Sequence, residues 1–459
     1  MVTDRYPFML PPPPEQLSGT VGSGVDSTPI GKTLYVSGMY ETRHLFGLKR
    51  ADRNRHAYIL GKSGMGKTCF MENLIRSDIE SGQGVAVVDP HGDLVKGLMQ
   101  CIPNERVNDV VYIDPTLPSY TISFNPFASV PAHMRQHVCQ SLIEVFRKQF
   151  QSSWSPRMEH LFRFATLAML EYEQGTLYGI LQIITDSKYR QMVIENINDE
   201  MTRRFFAVEF AGFSQKYEQE AITPLANRLG AFFADPLLRE IFSQSENKIH
   251  IPDILSKGKI LFINMSKGVL GEQNASLLGS FFLTMIEQGA LARASEETDK
   301  RKSFYLYADE FQNVATESFI SLFSESRKYA INITIANQYL SQIPKTLMDA
   351  VLGNTGNMVV FRLGGEDAQR IAMEFQPELS PADFLNLGLG EYYIKMSTDG
   401  QTLRPFCATS LQVEAFSHSE NAERIIDNNK RMFASSDQED RAGSKDRESY
   451  SQEELPAPL

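Results

Sequence analysis

Residues 57–68 read AYILGKSGMGKT, an apolar run of four residues followed by a glycine-rich turn. Their last eight residues match the pattern G-x-x-x-x-G-K-[ST], in which successive backbone N–H groups surround a phosphate group. That chemistry needs a buried strand before the pattern and a helix after it. The apolar run ending at Leu60 predicts the strand, and Met71, Leu74 and Ile79 then recur at helical spacing. The sequence therefore predicts a strand, a phosphate-binding loop and a helix in that order.

We expect the whole loop to bind the phosphates of ATP, with the helix N-terminus adding its positive dipole end. Its residues are Gly61, Lys62, Ser63, Gly64, Met65, Gly66, Lys67 and Thr68. The glycines let the backbone bend towards the ligand, Lys67 would reach the β- and γ-phosphates, and the Thr68 hydroxyl would bind Mg²⁺. A glycine-rich turn with a solvated lysine is the alternative, and the flanking strand and helix disfavour it.

A second set of candidates follows the apolar run FYLYA at residues 304–308. Hydrolysis of ATP needs a carboxylate in the metal shell and a second group that orients the attacking water. Asp309 and Glu310 close this run and can supply both. Such a pair is common in solvated loops, but beside the loop 61–68 we interpret Asp309 as a metal ligand and Glu310 as catalytic.

Strand-like runs occur on both sides of a helical stretch. Residues 85–88 and 110–113 are continuously apolar and each run ends in Asp-Pro, as expected for parallel strands covered on both faces. Strand-like runs resume at residues 260–264, 304–308, 331–335 and 358–361. We predict an α/β fold: a P-loop (RecA-like) nucleotide-binding domain with a mostly parallel central sheet, interrupted by an inserted all-α domain.

These patterns divide the chain into five segments. They are a flexible Pro/Gly/Ser-rich arm at 1–30, the first part of the nucleotide-binding domain at 31–131, the all-α insertion at 132–248, the second part at 249–415, and a polar tail at 416–459. Four consecutive prolines favour an extended arm. The last part of the tail has almost no apolar residues from which to build a core, so we expect it to be disordered.

Composition excludes several classes of protein. With 459 residues, 42% of them hydrophobic, the chain is neither fibrous nor wholly disordered. A formal charge of −11 leaves no global basic surface, so contacts with nucleic acid must be local. Four scattered cysteines indicate free thiols in a reducing cytoplasm. We expect a cytoplasmic protein, at most peripheral at the inner face of the membrane, because the most apolar stretch, 275–292, contains polar residues and falls short of a spanning segment.

Several segments together resemble one family. LGKSGMGKT, VVDPHGDLV, FYLYADEFQNV and SESRKYAINITIANQYLSQI, with the helical insertion between them, resemble the TraD/TraG-like coupling proteins of type IV secretion systems. These belong to the HerA–FtsK superfamily of DNA-pumping P-loop ATPases, and the resemblance covers roughly residues 45–415. It implies a homo-hexameric motor that drives DNA into a conjugative or secretion apparatus, with a relaxase and secretion components as further partners. Family members carry N-terminal membrane helices; we expect no intrinsic transmembrane anchor here and docking to a separate membrane protein.

The resemblance also implies two further catalytic residues. Arg327 occupies the place of an arginine finger, and Gln338 that of a glutamine at the end of the next strand. Arg327 could instead complement a helix dipole, and Arg362 is a rival candidate for the finger. Gln338 could contact the γ-phosphate or be a satisfied surface amide. We interpret His91, in the stretch DPHGD after a strand, as a loop or satisfied histidine.

Two other functions remain open at the level of sequence. One is a HerA-like DNA-processing motor for repair, with no secretion channel. The other is a receptor that recruits a relaxase or another secreted protein, in which ATP only switches the shape. The helical insertion carries arginines beside Trp154 and several phenylalanines, a mixture that can hold nucleic acid but is also found on ordinary amphipathic helices.

Overall fold

The computed structural model describes most of the chain. The described residues are 12–20, 26–37, 40–117, 121–128, 130–150, 153–316, 319–413 and 418–434. They form two compact units. The first contains the described residues up to Tyr112 together with Ile251–Ile425, and the second contains Ile113–His250 with the described residues from Ile426 onwards.

The described residues contain fifteen strands. They are β1 (Ser27–Thr33), β2 (Tyr35–Ser37), β3 (Tyr40–Thr42), β4 (Leu45–Lys49), β5 (Ala57–Leu60), β6 (Gly84–Asp89), β7 (Val110–Ile113), β8 (Ile260–Asn264), β9 (Phe304–Ala308), β10 (Ile331–Asn337), β11 (Asn357–Val360), β12 (Glu391–Lys395), β13 (Ser397–Thr398), β14 (Gln401–Thr402) and β15 (Phe406–Ser410).

Helices account for much of the rest. The α-helices of the described residues are α1 (Lys67–Glu80), α2 (Asp93–Met99), α3 (Arg135–Phe150), α4 (Pro156–Glu171), α5 (Leu177–Thr185), α6 (Ser187–Asn196), α7 (Glu200–Arg204), α8 (Gln215–Tyr217), α9 (Thr223–Phe233), α10 (Pro236–Phe242), α11 (Ile251–Lys257), α12 (Lys267–Leu270), α13 (Glu272–Ala292), α14 (Phe319–Glu325), α15 (Lys345–Asn354), α16 (Gly365–Ala372), α17 (Pro381–Leu385) and α18 (Asn421–Phe433).

Eleven strands form one sheet, in the order β4-β1-β15-β12-β11-β5-β10-β9-β6-β8-β7. The six strands from β11 to β8 run parallel to one another, whereas β12, β15, β1 and β4 add antiparallel pairs on the other side. Every residue of these six parallel strands is buried, as their continuous apolar sequences require. The predicted α/β fold, with a mostly parallel sheet and a helical insertion, is confirmed.

The second unit contains helices α3 to α10 and begins earlier than the sequence suggested. Residues before 132 pack with it because Asn125 Nδ2 donates to Gly175 O at 2.8 Å and to Ser245 O at 3.0 Å. Within this unit, Arg147, Arg163 and Trp154 all donate to Glu159. A single carboxylate therefore engages two arginines and the tryptophan that the sequence marked as candidate nucleic-acid contacts.

Regular structure extends into both segments that were expected to lack it. Strand β1 lies partly in the expected arm and is held by pairing with β4 and β15, which its polar composition did not reveal. Helix α18 lies in the expected tail, where Ile425 is fully buried and Asn421 Nδ2 donates to Ile102 O at 2.8 Å. The remaining residues of the arm, 1–11 and 21–25, and of the tail, 416–417 and 435–459, lie outside the described residues.

Helix α13 is the main apolar helix of the first unit. Among the described residues, the span Glu272–Ser295 is long and apolar enough to cross a membrane, contrary to the expectation from its polar residues, yet 78% of its apolar 18-residue stretch is buried within the protein. Gly279 permits close packing, since a Cβ there would lie 2.1 Å from Met265 Sδ. A core helix of a folded domain meets the same length and composition criteria.

A buried ionic cluster joins three elements of the first unit. Asp78, near the end of α1, is fully buried and pairs with Arg53 Nη1 at 2.6 Å and with Arg50. Tyr307 of β9 donates to Asp78 and accepts from Arg53 Nη2 at 2.6 Å. The segment Arg50–Arg55 leads into β5, so the cluster ties the strand and helix of the glycine loop to the strand of the acidic pair.

Removal of this buried carboxylate should destabilise the protein strongly. The substitution Asp78→Ala leaves Arg53 buried without its counter-charge, so we expect the free energy of unfolding to fall by about 3–5 kcal/mol. Urea denaturation measures this change. Asp349→Ala is the matched control, because Asp349 and its partner Arg370 are both exposed, and it should cost at most about 1 kcal/mol. Equal losses in the two variants would contradict the assignment.

Candidate active site

The glycine-rich loop lies between β5 and α1, as the sequence predicted. Gly66 precedes the helix with φ of 111°, a conformation that residues with side chains rarely adopt. Gly61 allows close packing, because a Cβ there would lie 2.5 Å from Phe361 Cβ. Lys67 is buried, and its ammonium donates to Gly61 O at 2.6 Å and to Lys62 O at 3.1 Å. The loop thus curls around the lysine at the start of the helix.

The acidic pair lies at the same edge of the sheet. Thr68 Oγ1 donates to Asp309 Oδ2 at 3.4 Å, which brings the end of β9 to the first turn of α1. Burial raises the pKa of Asp309, and the Asp89 carboxylate raises it further, while the Glu310 N–H and Lys67 offset part of this. Burial lowers the pKa of Lys67, and the two carboxylates oppose that effect. The cation and both carboxylates therefore share one electrostatic environment.

Glu310 is held in place by side chains from three different segments. Its Oε1 accepts from Gln338 Nε2 at 2.9 Å, and its Oε2 accepts from Asn313 Nδ2 at 2.9 Å. His91 Nε2 lies 3.3 Å from Oε2. Glu310 has φ of 42°, a left-handed conformation that costs a non-glycine residue roughly 1–3 kcal/mol and is concentrated at functional sites.

Two of these partners were not recognised from the sequence. His91 was interpreted as a loop or satisfied histidine, and the structure places it beside Glu310; Asn313 follows the acidic pair in the run DEFQN. The available signal was position: His91 follows a parallel strand at the carboxyl edge, where open α/β sheets place their ligands. Gln338 is half-buried, and its side-chain amide donates to Glu310.

The two candidate arginines lie at opposite edges of the sheet. Arg362 follows β11, and its carbonyl accepts from Lys62 N at 3.0 Å, so it is next to the loop of its own chain. Arg327 is exposed and precedes β10, in the short helix Ser326–Tyr329. The length of β10, at about 3.3 Å per residue, separates Arg327 from the loop by roughly 20 Å. Within one chain the structure therefore brings only Arg362 to the site.

The oxygen ligands at this edge fit a magnesium ion bound together with phosphate. Two oxygens on one octahedral Mg²⁺ lie roughly 3 Å apart, close to the 3.4 Å between the Thr68 hydroxyl and Asp309. Among the described residues no group of three or more His, Cys, Asp or Glu side chains could hold a metal by itself. Phosphate oxygens would complete the shell, as is usual for this ion.

A glycine loop with its lysine, facing a hydroxyl and two carboxylates at the carboxyl edge of a parallel sheet, defines a P-loop NTPase. The sequence model of the type IV secretion-system coupling protein DNA-binding domain matches residues 46–375. This match spans well over half of the chain, which therefore belongs to that family. The resemblance noted in the sequence is confirmed.

Solved structures show the same fold at low sequence identity. The bacterial conjugative coupling protein TrwBdeltaN70, in its unbound form, has a TM-score of 0.64 and 14% identity over 90% of this chain and 95% of that chain. The plasmid coupling protein TrwB in complex with ADP and Mg²⁺ gives 0.63 and 14%, over 90% and 96%. VirB4 of Thermoanaerobacter pseudethanolicus gives 0.57 and 17%, over 86% and 98%. No curated protein sequence matches the chain significantly.

The site predicts a metal-dependent difference in nucleotide affinity. Because Asp309 lies beside the Thr68 hydroxyl, the expected magnesium ligand, Asp309→Asn should weaken binding of ADP in the presence of Mg²⁺ by about 10- to 100-fold. In EDTA, the variant and the wild type should bind ADP equally. Titration with a fluorescent ADP analogue measures both affinities. Asp93→Asn, an exposed carboxylate after the neighbouring strand, serves as the control, and an equal loss with and without metal would exclude a metal role for Asp309.

Proposed function

We propose that this chain is a Mg²⁺-dependent ATPase that moves DNA and delivers it to a conjugative or type IV secretion apparatus. The observation that carries this proposal is the convergence of Lys67, Thr68, Asp309 and Glu310 at one edge of the sheet. Membership of the coupling protein family supports the DNA substrate. TrwB, which shares the fold, has been solved with ADP and Mg²⁺ and with a non-hydrolysable ATP analogue.

Each residue has a distinct task in this proposal. The loop N–H groups and Lys67 bind the phosphates, and Thr68 and Asp309 hold Mg²⁺, which neutralises the charge that develops on the transferred phosphoryl group. Glu310 orients the attacking water. The pKa of Lys67 is lowered by burial, but the adjacent carboxylates and the phosphates favour its charged form. Gln338 acts through Glu310, to which it is bound.

Arg327 serves the site of a neighbouring subunit. A ring is built by head-to-tail contacts, in which one face of a subunit meets a different face of the next. An exposed arginine roughly 20 Å from its own loop is suited to such a contact, whereas Arg362 is placed to act within its own chain. Hydrolysis would then occur at the subunit interface and depend on assembly, most simply of a homo-hexamer located at the inner face of the membrane.

The motor proposal predicts turnover that depends on DNA. ATPase activity should rise when DNA is added, and Lys67→Ala should lower turnover by about 10²-fold or more, because the lysine stabilises charge on the transferring group. Lys257→Ala, an exposed lysine of the same unit, should leave both rates unchanged. A colorimetric phosphate assay with and without DNA measures the effect. Nucleotide binding without turnover would exclude the motor and favour the receptor function.

A mixing experiment identifies the arginine finger. Arg327→Ala should lower turnover by about 10³- to 10⁵-fold, as for other arginine fingers. Mixing this variant with Lys67→Ala should restore part of the activity, because an intact loop then meets an intact arginine across an interface. Arg362→Ala mixed with Lys67→Ala should stay inactive, and Lys328→Ala should behave as wild type. Recovery with Arg362→Ala instead of Arg327→Ala would reverse the assignment.

A further inference from the structure

We propose that His91 and Asn313 are positioning residues that, together with Gln338, aim the carboxylate of Glu310 at the attacking water. The inference rests on the proposed function, in which Glu310 orients that water. It gives a role to the stretch DPHGD, which the nucleotide-binding residues leave unexplained.

The hydrogen bonds that described residues make to Glu310 leave an acceptor site open on Oε1. An ionised carboxylate has about four lone-pair sites, two on each oxygen. Asn313 Nδ2 at 2.9 Å occupies one site of Oε2, and Gln338 Nε2 at 2.9 Å occupies one site of Oε1, while His91 Nε2 lies in contact with Oε2 at 3.3 Å. The remaining site of Oε1 can accept a hydrogen from a water molecule. Because one hydrogen bond to each oxygen fixes the plane of the carboxylate, the direction of this site is fixed as well.

His91 lies close enough to Glu310 to limit the movement of its carboxylate. Its Nε2 is 3.3 Å from Glu310 Oε2, a separation that an imidazole N–H can close to a hydrogen bond. The His91 side chain is 52% exposed and that of Glu310 is 16% exposed. The ring therefore covers part of the carboxylate from the solvent side without being buried itself.

Hydrogen bonds and close packing fix the main chain around His91. Asp89 is buried and accepts from His91 N at 3.0 Å and from Val95 N at 3.1 Å. Pro90 O accepts from Lys267 N at 3.0 Å, which fixes the turn to the end of β8. At Gly92, with φ of 89°, a Cβ would lie 2.3 Å from the Asn264 side chain. Such close support is what a side chain needs in order to orient a catalytic group.

Asn313 is also held by neighbouring groups. It ends the short helix Phe311–Asn313, its N–H donates to Glu310 O at 2.9 Å, and its own carbonyl accepts from Ser276 Oγ of α13. The two side chains beside Oε2, His91 and Asn313, thus come from two different strand ends, β6 and β9, and Gln338 comes from a third, β10. Movement of any of these strand ends relative to the others would turn the carboxylate.

Kinetics of single variants test this role. His91→Ala and Asn313→Ala should each lower kcat by about 10- to 100-fold, because a misdirected group loses alignment with water. The KM for ATP and the affinity for ADP should not change, since the contacts that place both residues are made to Glu310. His91→Gln retains an N–H donor and should recover most of kcat. His250→Ala, an exposed histidine of the other unit, is the control. A rise in KM with kcat unchanged, in both variants, would overturn the inference.

A double-mutant cycle separates this inference from the proposed function. In the background Glu310→Gln, the residual turnover should not fall further when His91→Ala or Asn313→Ala is added, because residues that act as a unit are not additive. If Glu310→Gln retains full turnover, the catalytic role of Glu310 fails, and this inference fails with it. If Glu310→Gln is inactive but both alanine variants keep wild-type kcat, or if their effects add to that of Glu310→Gln, only the positioning role fails.

Discussion

The pairing of β10 with β5 on one side and β9 on the other is the constraint on which the site depends. Asn337 is opposite Leu60, and Ile335 is opposite Ala308, so three parallel strands end at the same edge. The glycine loop and the acidic pair therefore lie two strands apart, and the residue after β10 falls between them. This explains why Gln338 reaches Glu310 without any insertion or distortion of the sheet.

The C-terminal end of helix α1 is held by charged groups. Helix α1 begins at the glycine loop, where Thr68 meets Asp309, and near its end Asp78 is buried against Arg53 and Tyr307. The helix is thus attached to β9 at both ends, and separation of the loop from the acidic strand would break the hydrogen bonds of Tyr307 to this buried ion pair. Cyclic changes in shape are consequently easier between subunits, or at the exposed turns, than within this pair of elements.

Local patterns predicted what depends on local sequence. The glycine loop, the acidic pair and all six parallel strands were recognisable, because buried strands have continuous apolar sequences and the loop has a fixed spacing. The order of the strands is set by long-range pairing, so the sequence could not place Arg362 beside the loop and Arg327 at the other edge. His91 was missed for the same reason: nothing near it in sequence reveals Glu310. Strand β1 and helix α18 escaped notice because their polar residues are stabilised by partners far along the chain.

The central position of β5 has a consequence for synthesis on the ribosome. Both of its neighbours, β10 and β11, are encoded about 270 residues or more downstream. At about 10 residues per second, both edges of β5 remain without a partner strand for roughly half a minute. The helical insertion is translated during that interval and can complete its own core first. The nucleotide-binding unit can therefore complete its sheet only after the helical insertion has been synthesised. Until then its first half exposes an unpaired strand, which chaperones can shield.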